Sequence, residues 1–548
     1  MAQPTRFTPE MIEDWRRAGW WTDTTTLDLL EAHAAARPDD VSIVDSRRRL
    51  SWREALAAVE GFARTLAGIG LERDTPVVLQ LPNSVEESLI RLALKRLGLL
   101  AAYVPVVWRG AELEAVVDLL EPGAMVVPGR FRGNDMVALA RAVRERHTAM
   151  TVVAVDPGAD AAGCVPVSLD DAAESAARVP GEDRRYGPHE VTKLVVTSGS
   201  TGMPKLVERL EQQELLWAKG VTARMGVTGR DVIGGFVPMS GGPGYHAWGG
   251  WLVTGARFVL TDGFAPDALL PAIAHERVSA IHTAPAILAR LADSPLLAEH
   301  DTSSLRVIRT GSANLPPAVI ERAEERFGCP VVKAGGAMEA CSFGQVAIDD
   351  PEEIRRGPSI GRVMDGGEVR VVDAAGDPLP AGQPGELWIR GPATSSGYFR
   401  NPEATIEAWG TLGPEGWFRT GDVATIDRDG YVTLVGRIKE MINRGGMNVF
   451  PLELESILAE HPGILEAAIV PIPDETLGEI PCLCVIASGA DSIALDEVTE
   501  FLDARGLARY KFPVRVERFA DFPRGQTMRV NRRRLAERVA ARMAEASA

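Results

Sequence analysis

From Val41 to Ile308 the chain alternates short apolar runs with helical stretches, and this alternation constrains its fold more than any other feature. Ser42-Ile43-Val44, Pro76-Val77-Val78-Leu79-Gln80, Ala101-Ala102-Tyr103-Val104, Val126-Val127-Pro128 and Val152-Val153-Ala154-Val155 are too short for helices and rich in strand-forming residues. Residues 52–68 and 85–97 between them read as helices. The pattern resumes at Lys193-Leu194-Val195-Val196, Phe258-Val259-Leu260, Ala280-Ile281-His282 and Arg306-Val307-Ile308. Strand–helix alternation at this length predicts a largely parallel α/β sheet. Ahead of it, residues 10–19 predict a helix stopped by Gly19, and residues 26–35 a second one with Leu27, Leu29 and Leu30 as its apolar positions. Residues 157–189, rich in Ala, Asp, Gly and Pro, predict a surface excursion.

From Gly357 the character changes. Glu368-Val369-Arg370-Val371-Val372, the run from Gly385 to Arg390, and Tyr431-Val432-Thr433-Leu434-Val435 are short β runs between Gly, Pro and Asp turns, as in an antiparallel subdomain over about 357–436. Residues 437–548 read as a compact α+β module.

With 548 residues the chain is long enough for about two to four domains. Its net charge of -16 argues against general nucleic-acid or anionic-membrane binding. No apolar run of about eighteen residues appears, and the start Met1-Ala2-Gln3-Pro4 has no signal-peptide core, so a cytoplasmic protein is expected. Cys164, Cys329, Cys341, Cys482 and Cys484 have no zinc-ligand spacing and read as small buried residues; Cys482 and Cys484 should share one face of a strand.

The chemistry centres on Thr197-Ser198-Gly199-Ser200-Thr201-Gly202-Met203-Pro204-Lys205, which follows a strand. Glycines let a backbone approach a ligand closely, Ser and Thr hydroxyls donate hydrogen bonds, and Lys205 adds charge, all of which suit a polyphosphate. The Walker pattern is absent. Taken alone, the stretch is also compatible with an ordinary Ser/Gly surface turn.

Further stretches stand at compatible distances: Gly335-Gly336-Ala337-Met338-Glu339, the run from Gly385 to Gly391, Trp417-Phe418-Arg419-Thr420-Gly421-Asp422, and the run from Gly436 to Gly446. Together with the loop they resemble the acyl-adenylate-forming superfamily of acyl- and aryl-CoA ligases, adenylation domains and firefly luciferase. Trp15-Arg16-Arg17-Ala18-Gly19-Trp20-Trp21 is most similar to the stand-alone aryl-acid AMP ligases. The resemblance implies a large N-terminal domain over 1–438 and a small mobile domain over 439–548, hinged at Lys439. It also implies a two-step reaction: acid plus ATP giving acyl-AMP and pyrophosphate, then displacement of AMP by a thiol.

In that frame the loop and Lys205 hold the ATP phosphates, Asp422 accepts from the ribose hydroxyls, and Arg437 binds the same side of the nucleotide. Gly311-Ser312-Ala313 runs along the adenine with Gly336, Ala337 and Met338, and Glu339 is the magnesium ligand. Arg444, Gly445, Gly446 and Met447 line the pantetheine tunnel, in a form closer to CoA ligases than to carrier-loading enzymes. The cofactors implied are ATP or AMP, coenzyme A and Mg2+. The acyl pocket involves Phe236, Ser240, Gly241, Gly242, Pro243, His246 and Gly335, with Tyr245 and Trp248 as lining or core.

The chain departs from the family in three places. Where the family has Pro-x-Thr-x-x-Gly-Lys-Val/Ile-Asn/Asp-Arg, this chain has Arg529 at the lysine and Met528 at the glycine. Arg keeps the charge but is a bulkier planar fork, and losing one aimed transition-state contact costs about 3–4 kcal/mol. Gly335 replaces an aromatic residue that would stack on adenine. Gly241-Gly242 replaces the His-Asn of dihydroxybenzoate and salicylate ligases, so a roomy, mainly apolar pocket for a bulky aromatic or polycyclic acid is expected. These departures predict impaired adenylation with thioesterification retained, and a partner enzyme that supplies acyl-adenylate. The alternatives are a complete acid–CoA or carrier-protein ligase, and a non-catalytic acyl-nucleotide binder.

Overall fold

The structure, a computed structural model, describes residues 4–158, 162–173, 184–198, 204–311, 315, 317–413, 415–489, 493–524 and 530–547. The alternating runs form two large sheets. One has seven strands in the spatial order Pro204–Leu210, Val191–Ser198, Leu100–Tyr103, Pro76–Leu79, Ala124–Pro128, Thr151–Val155, Val165–Val167. The other has eight, in the order Cys341–Gln345, Val331–Ala337, Val307–Gly311, Ala280–Thr283, Val232–Gly235, Arg257–Leu260, Val41–Val44, Arg49–Ser51. Both are parallel inside, with antiparallel pairs at edges (Val191–Ser198 with Pro204–Leu210; Val331–Ala337 with Cys341–Gln345; Val41–Val44 with Arg49–Ser51).

The largest core cluster joins the facing sides of the two sheets through the helices Trp52–Ala67, Val85–Arg96 and Gly242–Thr254. A second cluster covers the outer face of the seven-stranded sheet with the helices Gly110–Leu120 and Met136–Arg146, and a third covers the outer face of the eight-stranded sheet with Pro266–Glu276, Pro285–Ala292 and Pro317–Phe327. The result is five layers, helices alternating with sheets, which is how parallel strands apolar on both faces are kept from water.

All twelve residues of the helix Val85–Arg96 are buried, charges included. Arg91 is paired with Glu87, donates 2.7 Å to the Met239 carbonyl, and lies 4.4 Å from the Tyr103 ring and 4.8 Å from that of Tyr245. Lys95 reaches Glu211 at 2.6 Å and Glu214 at 2.7 Å. Lys193 also pairs with Glu214; burial, then the cations Lys95, Arg91 and Arg209, hold its amine well below the usual lysine range.

Glu368–Val372, Gly385–Arg390, Phe418–Ile426 and Val432–Arg437 make the expected antiparallel sheet. Residues beyond it build a five-stranded sheet of Met447–Val449, Ile442–Arg444, Gly478–Ala487, Ile464–Asp474 and Arg515–Arg518 with two cores of its own. Cys482 and Cys484 do share one face, packed on Phe519 and Leu535. At the N-terminus, Phe7, Trp15 and Trp21 form an edge-on aromatic group, and the Trp21 indole donates 3.2 Å to the Pro392 carbonyl. Among the described residues no helix is long and apolar enough to cross a membrane.

Two expectations are corrected. The stretch 157–189 is not only a surface excursion: Val165–Val167 adds an edge strand parallel to Thr151–Val155, and Leu169–Ala173 packs on Trp52–Ala67. A Cβ on Gly61 would lie 2.1 Å from the Ala172 carbonyl oxygen, so the contact requires glycine. Cys164, on the same segment, is half-buried, because its edge position leaves one side open.

Candidate active site

The phosphate stretch caps a hairpin. Thr197 pairs with Lys205 and Ser198 with Pro204, so the antiparallel ladder runs further than composition suggests and the nine-residue loop is strand at both ends. Gly199, Ser200, Thr201, Gly202 and Met203 lie outside the described residues. The Lys205 ammonium sits 4.8 Å from the centre of the Tyr398 ring and 4.0 Å from Glu407.

Tyr398 was not among the expected site residues, yet it joins two that were. Its hydroxyl donates 3.0 Å to Glu339 Oε1, while Lys205 lies over its ring. Glu339 sits in the turn between Val331–Ala337 and Cys341–Gln345, where the Ser395 amide donates 2.7 Å to its carbonyl. Burial, then the Glu339 charge, pushes the Tyr398 phenol far up, so it stays a donor. Tyr398→Phe should lower kcat/KM about tenfold, the worth of one hydrogen bond to a charged group, which steady-state kinetics would register.

Asp422 and Arg437 face each other across neighbouring strands, Arg437 donating to the two carboxylate oxygens at 2.6 and 3.3 Å. Burial opposes the charge of Arg437, but Asp422, Glu440 and Glu339 outweigh it and raise its pKa. Gly421, at φ 68°, sits at a bulge in the strand Phe418–Ile426 directly before Asp422.

Gly311 ends the strand Val307–Gly311 against its neighbour, where a Cβ would lie 2.3 Å from the Ala334 carbonyl oxygen; Ser312 and Ala313 are outside the described residues. Gly336 and Ala337 complete the strand Val331–Ala337, and Met338 follows in the turn. Gly335 does not open the pocket as expected. Its missing side chain is replaced by Ile360, whose Cδ1 would lie 2.6 Å from a Cβ there, and by Leu434 at 3.4 Å. An aliphatic side chain from a residue distant in sequence fills the volume an aromatic ring would have taken.

On the acyl side, Gly241 and Gly242 start the helix Gly242–Thr254, followed by Pro243, with Ser240 half-buried just ahead. A Cβ on Gly241 would touch only the Pro238 carbonyl, and one on Gly242 only the Met338 sulfur, each at 3.5 Å, so the lost side chains do leave room here. Phe236 is corrected from pocket wall to core. It is fully buried with Ile281 and Leu288 on the outer face of the sheet, because it falls on the strand parity opposite the helix that carries His246.

His246 is buried against the Trp217 ring edge, with centroids 4.6 Å apart. Neither of its ring nitrogens has a hydrogen-bond partner among the described residues, and the same holds for His282. Two imidazoles are thus buried between the helix Gly242–Thr254 and the strand Ala280–Thr283 without hydrogen-bond partners among the described residues. Burial and then Arg309 push both imidazoles well below their ordinary range. A lowered folded pKa means the unfolded chain binds more protons below about pH 6.5, so stability falls as pH drops through that value. Each histidine should contribute about 1.4 kcal/mol per pH unit in that window. Denaturant titrations at pH 7 and pH 5 should show a smaller acid loss for His282→Phe than for the native chain.

Lys439 lies exposed in the short turn Ile438–Glu440 between the antiparallel sheet and the C-terminal module. Beyond it Ile442–Arg444 and Met447–Val449 pair as a hairpin whose two-residue turn is Gly445-Gly446, at φ 59° and 88°. Positive φ at both places favours glycine there. Arg444 is turned away, donating 2.6 Å to the Tyr510 carbonyl, and Met447 is exposed. Arg529 lies outside the described residues. The ends of its loop are fixed: Arg524 bridges to Val530, and the Asn531 amide donates 2.6 Å to the Pro523 carbonyl.

No group of three or more metal-ligating side chains exists among the described residues. Glu339 alone fits magnesium, an ion that takes one or two carboxylates and completes its shell with phosphates and water.

Lys205 and Tyr398, the acidic turn at Glu339 and the Asp422–Arg437 pair are thus in place, and residues 30–399 match the profile of AMP-binding enzymes. The chain belongs to that family. Residues 453–528 match the C-terminal domain of AMP-binding enzymes. The chain is similar to 2-hydroxy-7-methoxy-5-methyl-1-naphthoate–CoA ligase of Streptomyces carzinostaticus, at 32% identity over 99% of this chain and 98% of that one. It is similar at 30% identity to 2,3-dihydroxybenzoate-AMP ligase of Bacillus subtilis (strain 168), over 98% of each. Among solved structures, anthranilate CoA ligase AuaEII with anthranoyl-AMP shares the fold, with a TM-score of 0.83 at 23% identity over 96% of this chain and 98% of that one. Amide bond synthetase McbA from Marinactinospora thermotolerans superposes with a TM-score of 0.80 at 26% identity, over 93% and 99%. This AMP-binding enzyme therefore has the acyl-adenylate-forming fold.

Proposed function

We propose that this AMP-binding enzyme forms a CoA thioester from the acyl-adenylate of a bulky aromatic carboxylic acid, and that its own ATP-dependent adenylation is impaired. The observation that carries the reading is a site wall assembled from separate segments, in which Lys205 lies over Tyr398, Tyr398 donates to Glu339, and Arg437 pairs with Asp422. Along it Lys205 neutralises phosphate charge, Tyr398 orients Glu339, and the Asp422–Arg437 pair opens to receive the ribose. A magnesium ion at Glu339 would neutralise phosphate charge when bound.

In the first half-reaction the acid's carboxylate oxygen bonds to the α-phosphorus and the bond to pyrophosphate breaks. A cation between carboxylate and α-phosphate is needed there, and Arg529 stands where the family has lysine. In the second, a thiolate sulfur bonds to the acyl carbon and the bond to AMP breaks. That step needs a tunnel rather than the bridging cation, and the Gly445-Gly446 turn supplies backbone a thin arm can run along. The similarity to a naphthoate–CoA ligase supports both an aromatic acid and CoA.

A complete ATP-dependent ligase is the second reading, favoured by the positive charge that Arg529 retains. The acceptor is tested by giving the enzyme synthetic 2-naphthoyl-AMP with either CoA or a phosphopantetheinyl carrier protein. Faster thioester formation with CoA is expected; a carrier protein that wins would overturn the choice of acceptor.

A further inference from the structure

Two buried histidines, His246 on the helix Gly242–Thr254 and His282 on the strand Ala280–Thr283, lack hydrogen-bond partners among the described residues. His246 is 6% exposed and His282 fully buried, and none of their four ring nitrogens meets a donor or acceptor among the described residues. They lie on facing surfaces. The helix of His246, Gly242–Thr254, packs over the strand Ala280–Thr283, in which Ala280 and His282 face that helix while Ile281 faces away. His282 is in register with Arg309 on one side and with Gly235 on the other, where the Phe258 ring occupies the space that a side chain at Gly235 would take.

The pair connects to the reacting end through one wall. The His246 ring meets Trp217; the Arg209 guanidinium lies 4.4 Å over Trp217 and donates to the Met338 carbonyl; the Met338 sulfur borders Gly242, and Glu339 follows. An aromatic acid with its carboxylate near Glu339 would extend along this wall toward the imidazoles. Buried polar groups are almost always satisfied in the working molecule, and a neutral imidazole offers one donor and one acceptor. A hydroxyl group also offers both.

We propose that His246 and His282 determine specificity by reading a hydroxyl group on the part of the aromatic acid farthest from its carboxylate. The substrate class is thus a distally hydroxylated aromatic acid. The hydroxyl accepts from one ring and donates to the other. Nearby Arg309, Lys193 and Arg209 favour neutral imidazoles and an electron-rich oxygen. This rests on the ligase reading above and assigns the pair a role distinct from the ortho position, where Gly241 and Gly242 offer no side chain.

Synthetic adenylates bypass the adenylation step. Benzoyl- and 2-naphthoyl-AMP would be compared, each with its hydroxy derivatives, the hydroxyl placed in turn at the 3 or 4 position and at positions 5 to 8, and CoA thioester formation followed. For the native enzyme at least one hydroxy isomer should exceed its unsubstituted parent by about 10- to 100-fold in kcat/KM. His246→Phe and His282→Phe should each abolish that preference, lowering kcat/KM for the favoured hydroxy isomer relative to its parent, and denaturant unfolding should show that the variants fold. His246→Gln, which keeps a donor and an acceptor, should retain part of it. Equal or poorer rates for every hydroxy isomer, or variants that slow parent and hydroxy forms alike, would overturn the proposal with the ligase reading intact. No thioester from any adenylate would remove the ligase reading and this inference with it.

Discussion

Arg529→Lys should accelerate acid-dependent pyrophosphate exchange by about a hundred- to a thousandfold, the worth of one well-aimed charge contact in a transition state. Thioester formation from a preformed acyl-adenylate should change little. The ammonium of lysine is a compact charge that can sit between two oxygens, whereas guanidinium is a wide planar fork that fits one anion edge-on. The frame that presents position 529 is intact. Arg532 is clamped by Glu455 and, at 2.9 Å, by Glu440, and donates 2.9 Å to the Ile469 carbonyl. Unchanged exchange in the lysine variant would mean that Arg529 already does the work, or that the block lies elsewhere.

Glu87→Leu should destabilise the large domain by about 3–5 kcal/mol, measured by denaturant unfolding, because it strands a guanidinium with no water. Glu87 and Arg91 are both 3% exposed or less, enclosed by Tyr103, Tyr245 and Trp248. Desolvation is severe for both, and their mutual attraction and the Met239 carbonyl offset it only together. Replacing both, as Glu87→Leu with Arg91→Met, should recover most of the loss. A single variant within about 1 kcal/mol of the native chain would show that the buried charge finds another partner.

The parallel strands were legible because strands buried on both faces are continuous apolar runs, and the antiparallel sheet because Gly, Pro and Asp turns frame short β runs. Asp422 and Glu339 stand out in the sequence because each ends a short stretch of recognisable pattern. What escaped is non-local. Tyr398 follows Thr394-Ser395-Ser396-Gly397, a run of small residues that was the only signal of a close approach, and nothing there names Glu339, fifty-nine positions earlier, as its partner. Ile360 fills the space at Gly335 from across a sheet edge, so reading one glycine as empty volume failed. Phe236 was misplaced by parity alone: one position along a strand separates lining from core. Five charges on Val85–Arg96 resemble a solvated face, and only the layer stacked on that helix buries them.

The central claim is that one chain retains the sulfur step and has weakened the phosphoryl step. It is tested most directly by single-turnover rates of naphthoyl-CoA formation in the native enzyme, started either from 2-naphthoyl-AMP or from 2-naphthoic acid with ATP and magnesium. The account predicts that the adenylate route is faster by about two orders of magnitude or more. Equal rates from the two starting points would contradict it.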